Sequence, residues 1–388
     1  MKRYLVSAAV VAALGLPSSA SADPLKIGLV STLSGPSAAL GVHMRDGFML
    51  GVKHAGGKLG GVETEIVTVD DELKPDVGVA KVNALLERDQ VDIVAGVVFS
   101  NVMGAVVKPV TDAEVFLISG NAGPSTLAGQ GCSPYFFSVS WQNDQMHEVL
   151  GKHAQDKGYG RVFLMAPNYQ AGKDSLAGFK RHFKGEVADE VYTQLGQLDF
   201  SAELARIAAA KPDAVFTFMP GGMGVNLVKQ YRQAGLAQTI PFLSAFTVDE
   251  TTLPATQADA LGMFSASQWT PGMDNEANKR FVADFEAEYD YVPSLYASQG
   301  YDLAMLIDSA AKKVSGDLSD KAAFRQALEA AEFTSVRGDF KFNTNHFPIQ
   351  DFYLVEAVER EDGKYQTQVV EKVFEDYGDV YAAECKMN

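Results

Sequence analysis

The chain has few of the residues that build metal centres, redox sites or membrane anchors. Among its 388 residues only two are cysteine and six are histidine. Beyond residue 22 no apolar run reaches the ~20 residues that a membrane-spanning helix needs. Positive charge is scarce as well, since the chain has 33 lysines and arginines but 49 aspartates and glutamates, a formal net charge of −16. An acidic surface repels nucleic acid and anionic lipid, so we expect neither as a partner.

The N-terminal segment has the three parts of a secretory signal. Lys2 and Arg3 form a basic head, residues 4–16 are apolar, and residues 20–22 are a small-residue cleavage site, Ala-Ser-Ala. We therefore predict export to the periplasm, with cleavage after Ala22 and a mature chain that begins at Asp23. A frayed N-terminal helix is the alternative. No cysteine lies at the cleavage point itself, so the pattern does not predict a lipid anchor.

The two cysteines are Cys132 and Cys385. An exported protein usually oxidises a lone pair of cysteines, so we predict a disulfide between them, with two free thiols as the alternative. Neither cysteine has a second cysteine or a histidine at the spacing of zinc ligands. We therefore expect no metal, and no motif predicts a cofactor.

Strand-like and helix-like segments alternate along most of the chain. Continuous apolar strands separated by helices are typical of a parallel sheet that is covered on both faces. A loop rich in Gly, Pro and Ser at 120–134 separates a first set of such segments, 25–119, from a second, 141–244. The pattern predicts an α/β fold of two doubly wound, Rossmann-like lobes. The last strands, around the Asp-Gly turn at 362–363, favour an antiparallel hairpin that returns to an earlier lobe.

The motifs of nucleotide-binding and catalytic sites are incomplete in this sequence. Residues 222–224 read Gly-Met-Gly, but Leu227 occupies the position of the third glycine in a dinucleotide-binding motif. His147 and His153 lie six positions apart, not four as in a zinc-protease helix, and we interpret both as solvent-exposed helix residues. Ser125 lacks the second glycine of a nucleophile elbow. With no nucleophile–base arrangement in view, we expect that the protein is not an enzyme.

Small and hydroxyl residues cluster directly after the predicted strands. Residues 34–37, 100–101 and 119–125 follow the first, third and fourth strands. Ligands of open parallel sheets bind at the carboxyl ends of the strands, where helix N-termini offer free N–H groups that suit a carboxylate. Ser100 is the strongest candidate, because its hydroxyl and a backbone N–H could bind one carboxylate together. Helix capping is the alternative role of these residues.

Several of these segments also carry a family resemblance. In their order along the chain they resemble the type I periplasmic binding proteins of the leucine/isoleucine/valine importer class. The matching motifs are Lys26-Ile-Gly-Leu, Leu33-Ser-Gly-Pro, Gly41 through Asp46-Gly47, the strand Val91–Gly96 with Ser100, Ser119 through Pro124, Tyr231-Arg-Gln-Ala-Gly-Leu236, Asn275-Glu-Ala-Asn278, and Tyr296 with Gln299-Gly-Tyr-Asp302.

The resemblance implies two lobes that close on a small-molecule ligand about three crossovers, near 139–142, 265–270 and 345–350. It assigns residues 23–139 and 268–347 to the first lobe, and 140–267 and 348–388 to the second. It also implies an inner-membrane ABC permease as a partner. We expect a monomer that is not itself embedded in the membrane.

The resemblance further implies that Ser100 and the loop at Asn121–Gly123 hold the carboxylate of a ligand. Family members bind an ammonium with an acidic residue after the strand at 240–244, where this chain has Phe246. The residues that bind a ligand carboxylate in the family are therefore present in this chain, whereas the acidic residue that binds an ammonium is absent from its expected position. The predicted ligand-binding residues are Ser100, Asn101, Asn121, Ala122 and Gly123 for the carboxylate, and Leu40, Tyr169, Met219, Phe246 and Trp269 for an apolar wall.

These residues favour a transport binding protein for a carboxylate with an apolar, aromatic body. A branched-chain amino acid is the alternative ligand, and a ligand-sensing module is the alternative class of protein. For Trp269, a plain core position at the hinge is the alternative to ligand contact.

Overall fold

The computed structural model describes residues 24–387 as two α/β lobes, each built on its own sheet. The predicted secretory signal, its cleavage site and Asp23 lie outside these residues. The predicted fold class is confirmed. No helix in the described range is both long and apolar enough to cross a membrane.

The first sheet has five parallel strands in the order β2-β1-β3-β4-β5. Its strands are β1 (Leu25–Ser31), β2 (Thr64–Asp70), β3 (Ile93–Gly96), β4 (Phe116–Ser119) and β5 (Phe136–Ser138). The helices between them are α1 (Ala38–His54), α2 (Pro75–Ala84), α3 (Ser100–Asp112) and α4 (Ser125–Ala128). This strand order reverses between β1 and β3, so the helices that follow these two strands lie on opposite faces.

The second sheet has eight strands and repeats the same winding. Its parallel part runs β7-β6-β8-β9-β10, and β12 then pairs antiparallel with β10, β11 and β13. The strands are β6 (Arg161–Pro167), β7 (Glu186–Thr193), β8 (Ala214–Phe218), β9 (Phe242–Ala245), β10 (Phe264–Ser267), β11 (Lys341–Phe342), β12 (Pro348–Glu359) and β13 (Tyr365–Tyr377). The helices are α5 (Asp144–Asp156), α6 (Gln170–His182), α7 (Ser201–Ala210), α8 (Gly222–Gln233) and α9 (Leu253–Thr256).

Three further helices, α10 (Glu276–Tyr289), α11 (Leu295–Lys313) and α12 (Lys321–Glu329), return to the first lobe. α11 packs on α1 at backbone contact distance, because a Cβ at Gly47 would come within 1.9 Å of the Ala297 carbonyl oxygen. Gly300 faces Met44 in the same way, at 2.0 Å. The glycines that carried part of the family resemblance therefore let two helices touch.

The connections between the lobes lie side by side. The chain leaves the first sheet after β5, returns with α10 after β10, and enters the second sheet again at β12. Arg337 joins two of these connections, since its Nη1 donates to Gln350 Oε1 at 2.8 Å and to the Ser140 carbonyl at 3.3 Å. Asn345 Nδ2 donates to the Ala128 carbonyl at 2.8 Å and to Asp379.

The C-terminal tail reaches the same region. Cys132, which follows α4, and Cys385, which follows β13, form a disulfide with a Cα–Cα distance of 5.7 Å. The two free thiols of the alternative hypothesis are not found among the described residues. A covalent bond thus links a loop of the first lobe to the segment that leaves the second sheet.

Candidate functional site

A cavity lies between the two lobes. Its walls come from residues at or after the carboxyl ends of β1, β3 and β4 on one side and of β6, β8 and β9 on the other. The points at which the strand order of each sheet reverses therefore face each other across the cavity, as expected for a ligand site in doubly wound folds.

Ser100 is the first residue of α3 and lines this cavity. Its Oγ accepts a hydrogen bond from Asn143 Nδ2 at 3.1 Å, which leaves the hydroxyl proton free for another acceptor. The helix has no side-chain cap, so this hydroxyl does not have the alternative capping role. The first bond of α3 runs from Met103 N to the Phe99 carbonyl, so the preceding N–H groups are open to a ligand. This end of the cavity can bind an anion.

The loop after β4 contributes Asn121 and Ala122 to the cavity wall. Asn121 Nδ2 donates to the Val98 carbonyl at 2.6 Å, while its Oδ1 is buried without a partner among the described residues. The Ala122 N–H donates to the Val97 carbonyl at 3.1 Å. Ala122 therefore faces the cavity as predicted, but its amide is already used within the protein and is not a free donor.

Gly123 and Asn101, also predicted at the carboxylate, are not on the cavity wall. The Gly123 N–H donates to Asn143 Oδ1 at 3.1 Å, and a Cβ here would lie 2.0 Å from the Trp141 carbonyl oxygen. Asn101 is turned by the helix toward α2, where Nδ2 contacts the Leu73 carbonyl at 3.4 Å. Both lie within two positions of Ser100 or Asn121 in the sequence. The local backbone nevertheless directs them away from the cavity, Gly123 toward Asn143 and Asn101 toward Leu73.

The opposite part of the cavity is aromatic. Phe246 packs against Trp141 with ring centroids 4.9 Å apart and meets Phe218 edge-on at 5.7 Å. Tyr169 stacks on Phe218 at 6.1 Å, and Leu40 completes the wall from the first lobe. Phe246 has φ of 58°, a left-handed conformation that is strained for an aromatic residue and is typically found at functional sites.

Met219 and Trp269 lie outside the cavity, in contrast to the prediction. Met219 is buried in the core of the second lobe. Trp269 is buried as well: its ring packs against Phe281 at 6.0 Å, and its Nε1 donates to Asn278 Oδ1 at 2.7 Å. The alternative interpretation of Trp269, a core residue beside a lobe connection, matches this position.

Several wall residues were not predicted from the sequence, chiefly Trp141, Asn143, His147, Phe218 and Tyr296. Trp141 and Asn143 belong to the first connection between the lobes, which was predicted as a crossover near 139–142 and not as part of the site. Tyr296 was noted for the family resemblance but not as a site residue, although its place in the first turn of a helix was visible in the sequence.

His147 and His153 are buried, not solvent-exposed as predicted. α5 lies between the second sheet and α6, so ten of its 13 residues are buried on one face or the other. Burial lowers the pKa of His147 to about 3, so the imidazole is neutral at physiological pH. His147 presents an uncharged ring to the cavity, 5.1 Å from that of Phe218.

No aspartate, glutamate, lysine or arginine among residues 24–387 lines the cavity. Asp249 is the nearest acid to the predicted ammonium position, and the structure places it in a loop before α9, not at the start of a helix. Its Oδ1 accepts the Thr251 N–H at 2.7 Å. Burial raises the pKa of the Tyr296 hydroxyl, and the charge of Asp249 adds to this shift. The acid therefore lies behind the wall, near Tyr296, and not on its surface.

Comparisons with known proteins agree with this architecture. The model of the periplasmic binding protein family matches residues 24–364. The solute-binding protein of an ABC transporter from R. palustris, solved in complex with benzoate, is 33% identical, with a TM-score of 0.89 over 94% of this chain and 100% of that one. An ABC transporter substrate-binding protein from Sphaerobacter thermophilus is also 33% identical, with a TM-score of 0.85 over 92% of this chain and 100% of that one. The Leu/Ile/Val-binding protein homolog 6 of Brucella melitensis is 28% identical over 98% of both chains.

Proposed function

Because the chain belongs to the periplasmic binding protein family and is the solute-binding component of an ABC transporter, we propose that its ligand is a small aromatic carboxylate. The observation that carries this proposal is the make-up of the cavity. One end offers the Ser100 hydroxyl at a helix N-terminus, and the rest is formed largely by aromatic rings. The R. palustris protein, in complex with benzoate, supports the same ligand class.

The absence of an acid from the described cavity wall argues against an amino acid. An ammonium buried without a charged partner costs several kcal/mol, because it loses its water and gains no counter-ion. A ring stacked against Phe246 and Tyr169 is instead stabilised by burial and by aromatic contacts worth ~0.5–1.5 kcal/mol each. A branched-chain amino acid remains the second candidate, since Asp249 Oδ2 is buried without a hydrogen-bond partner among residues 24–387 and the charge of Asp249 contributes to the raised pKa of Tyr296.

We propose that capture occurs by closure of the lobes, with residues 23–139 and 268–347 moving against 140–267 and 348–388. β11, which these boundaries assign to the first lobe, pairs with β12 of the second sheet. We further propose a monomer without enzymatic activity that delivers its ligand to an inner-membrane permease. We propose that the secretory signal is removed after Ala22 upon export, so the mass of the mature protein should correspond to a chain starting at Asp23.

Titration calorimetry with benzoate, benzamide and leucine tests the ligand class. We expect micromolar or tighter binding of benzoate and much weaker binding of benzamide, which has the same shape but no charge. Micromolar binding of leucine without binding of any aromatic acid would overturn the proposal and support the amino acid.

Small-angle scattering then tests closure of the lobes, since saturating ligand should reduce the radius of gyration.

A further inference from the structure

A chain of hydrogen bonds connects Ser100 to the facing lobe. Asn143 Nδ2 donates to Ser100 Oγ at 3.1 Å and to Asp174 Oδ2 at 2.9 Å. The same Asp174 carboxylate accepts the Ser125 N–H at 3.1 Å and the Ser125 hydroxyl at 2.7 Å. We call these four residues, Ser100, Asn143, Asp174 and Ser125, the Asp174 network.

The Asp174 network crosses between the lobes twice. Asp174 lies on α6 of the second lobe, whereas Ser125 begins α4 and Ser100 begins α3 of the first. Asn143 belongs to the connection between the lobes, and its Oδ1 accepts the Gly123 N–H at 3.1 Å. Asp174 itself is 4% exposed, so its carboxylate oxygens depend on these partners, and on Gln170 Nε2, which donates to Oδ1 at 2.7 Å, for the hydrogen bonds that water would otherwise supply.

The direction of each hydrogen bond determines whether the Ser100 hydroxyl can donate to a ligand. Asn143 holds its amide oxygen toward Gly123 and uses both amide hydrogens, one on Asp174 and one on Ser100. Ser100 Oγ is therefore an acceptor inside the protein and has its proton left to donate into the cavity. Asn143 and Asp174 both lie within residues 140–267, so they stay together when the lobes separate, and the bonds from this pair to Ser100, Gly123 and Ser125 are the ones that break.

We propose that Asp174 is a positioning residue that couples closure of the lobes to the orientation of the Ser100 hydroxyl. Asp174 does not line the cavity and does not touch the ligand. When the lobes close, its carboxylate binds Ser125 of the opposite lobe and fixes Asn143, which in turn directs the Ser100 proton toward the ligand carboxylate. The inference rests on the proposed function, because it takes Ser100 as the ligand's partner.

A double-mutant cycle tests this coupling with benzoate as the ligand. Asp174→Asn replaces a carboxylate, whose two oxygens both accept hydrogen bonds, by an amide with only one accepting oxygen. We therefore expect the Kd for benzoate to rise about tenfold, the equivalent of 1.4 kcal/mol. In a Ser100→Ala background the same substitution should change the Kd by less than about threefold, because the group it orients has been removed. Equal effects in the two backgrounds would show a structural role only and would overturn the proposal.

Asp320→Asn is the matched control, since Asp320 caps the N-terminus of α12 through the Ala323 N–H, far from the cavity. We expect it to leave the Kd unchanged. Hydrogen exchange of the proteins saturated with benzoate provides a second readout, because the bond between Asp174 and Ser125 is proposed to form when the lobes close. Asp174→Asn should speed exchange at residues 123–128, and Asp320→Asn should not. If benzoate fails to bind the natural protein, the proposed ligand is wrong, whereas unchanged exchange in Asp174→Asn refutes the cross-lobe bond itself.

Discussion

Replacing Ser100 by alanine is the most direct test of the proposed carboxylate site. The substitution removes one hydroxyl from the wall and leaves the backbone N–H groups of α3 in place. Ser100 does not cap the helix, and Asn143 keeps Asp174 as an acceptor, so we expect the fold to persist. What is lost is a single hydrogen bond to a charged ligand oxygen.

A hydrogen bond to a charged group contributes about 1.5–3 kcal/mol. The Kd for benzoate should therefore rise about 10- to 100-fold in Ser100→Ala. Ser100→Thr, which keeps the hydroxyl, is the matched control and should retain most of the affinity. Calorimetry on the three proteins measures the effect. A Kd for Ser100→Ala within twofold of the natural protein, with intact benzoate binding, would refute the assignment of Ser100.

Three further perturbations test other parts of the structure. Phe246→Leu keeps an apolar wall but removes the ring, so the Kd for benzoate should rise about two- to tenfold by calorimetry, and an unchanged Kd would exclude ring stacking. Burial raises the pKa of Glu250 to about 7, so the folded protein holds a proton that the unfolded chain releases above its ordinary pKa of 4.5. The free energy of unfolding should fall by about 3 kcal/mol as pH rises from 4.5 to 7. Glu250→Gln should reduce this fall, as measured by urea titrations at the two pH values. Reducing the Cys132–Cys385 bond, which closes a loop of 253 residues, should lower the free energy of unfolding by about 5.5 kcal/mol in the chain-entropy model, and an unchanged urea midpoint with dithiothreitol would contradict this.

The fold could be predicted from the sequence because its signals are local and repeated. Apolar strands such as β3 and β4 are continuous in sequence, and each is followed by a helix. Ser100 could be found in the same way, since a hydroxyl residue directly after a buried strand has a fixed place at the sheet edge. The apolar side of the cavity was predicted only in part.

The missed residues depend on packing between segments that are distant in sequence. Histidine is a polar residue type, so His147 was expected to be exposed, but the second sheet and α6 cover both sides of its helix. Trp141 and Trp269 both lie near lobe connections, and no sequence pattern distinguishes the one that meets Phe246 from the one that meets Phe281. Asp249 is three positions from Phe246, yet its loop turns the carboxylate toward Thr251 and away from the cavity.

The disulfide beside the lobe connections has a mechanical consequence. A point on a rotating body moves in proportion to its distance from the axis, so a tether close to the axis hardly resists rotation. Cys132 and Cys385 join segments that also contact the connections through Asn345 and Asp379. The same tether strongly resists sliding of one lobe along the other, because every point then moves by the same distance. Opening should therefore be a swing about a nearly fixed axis, which returns the two halves of the cavity to the same register in each cycle.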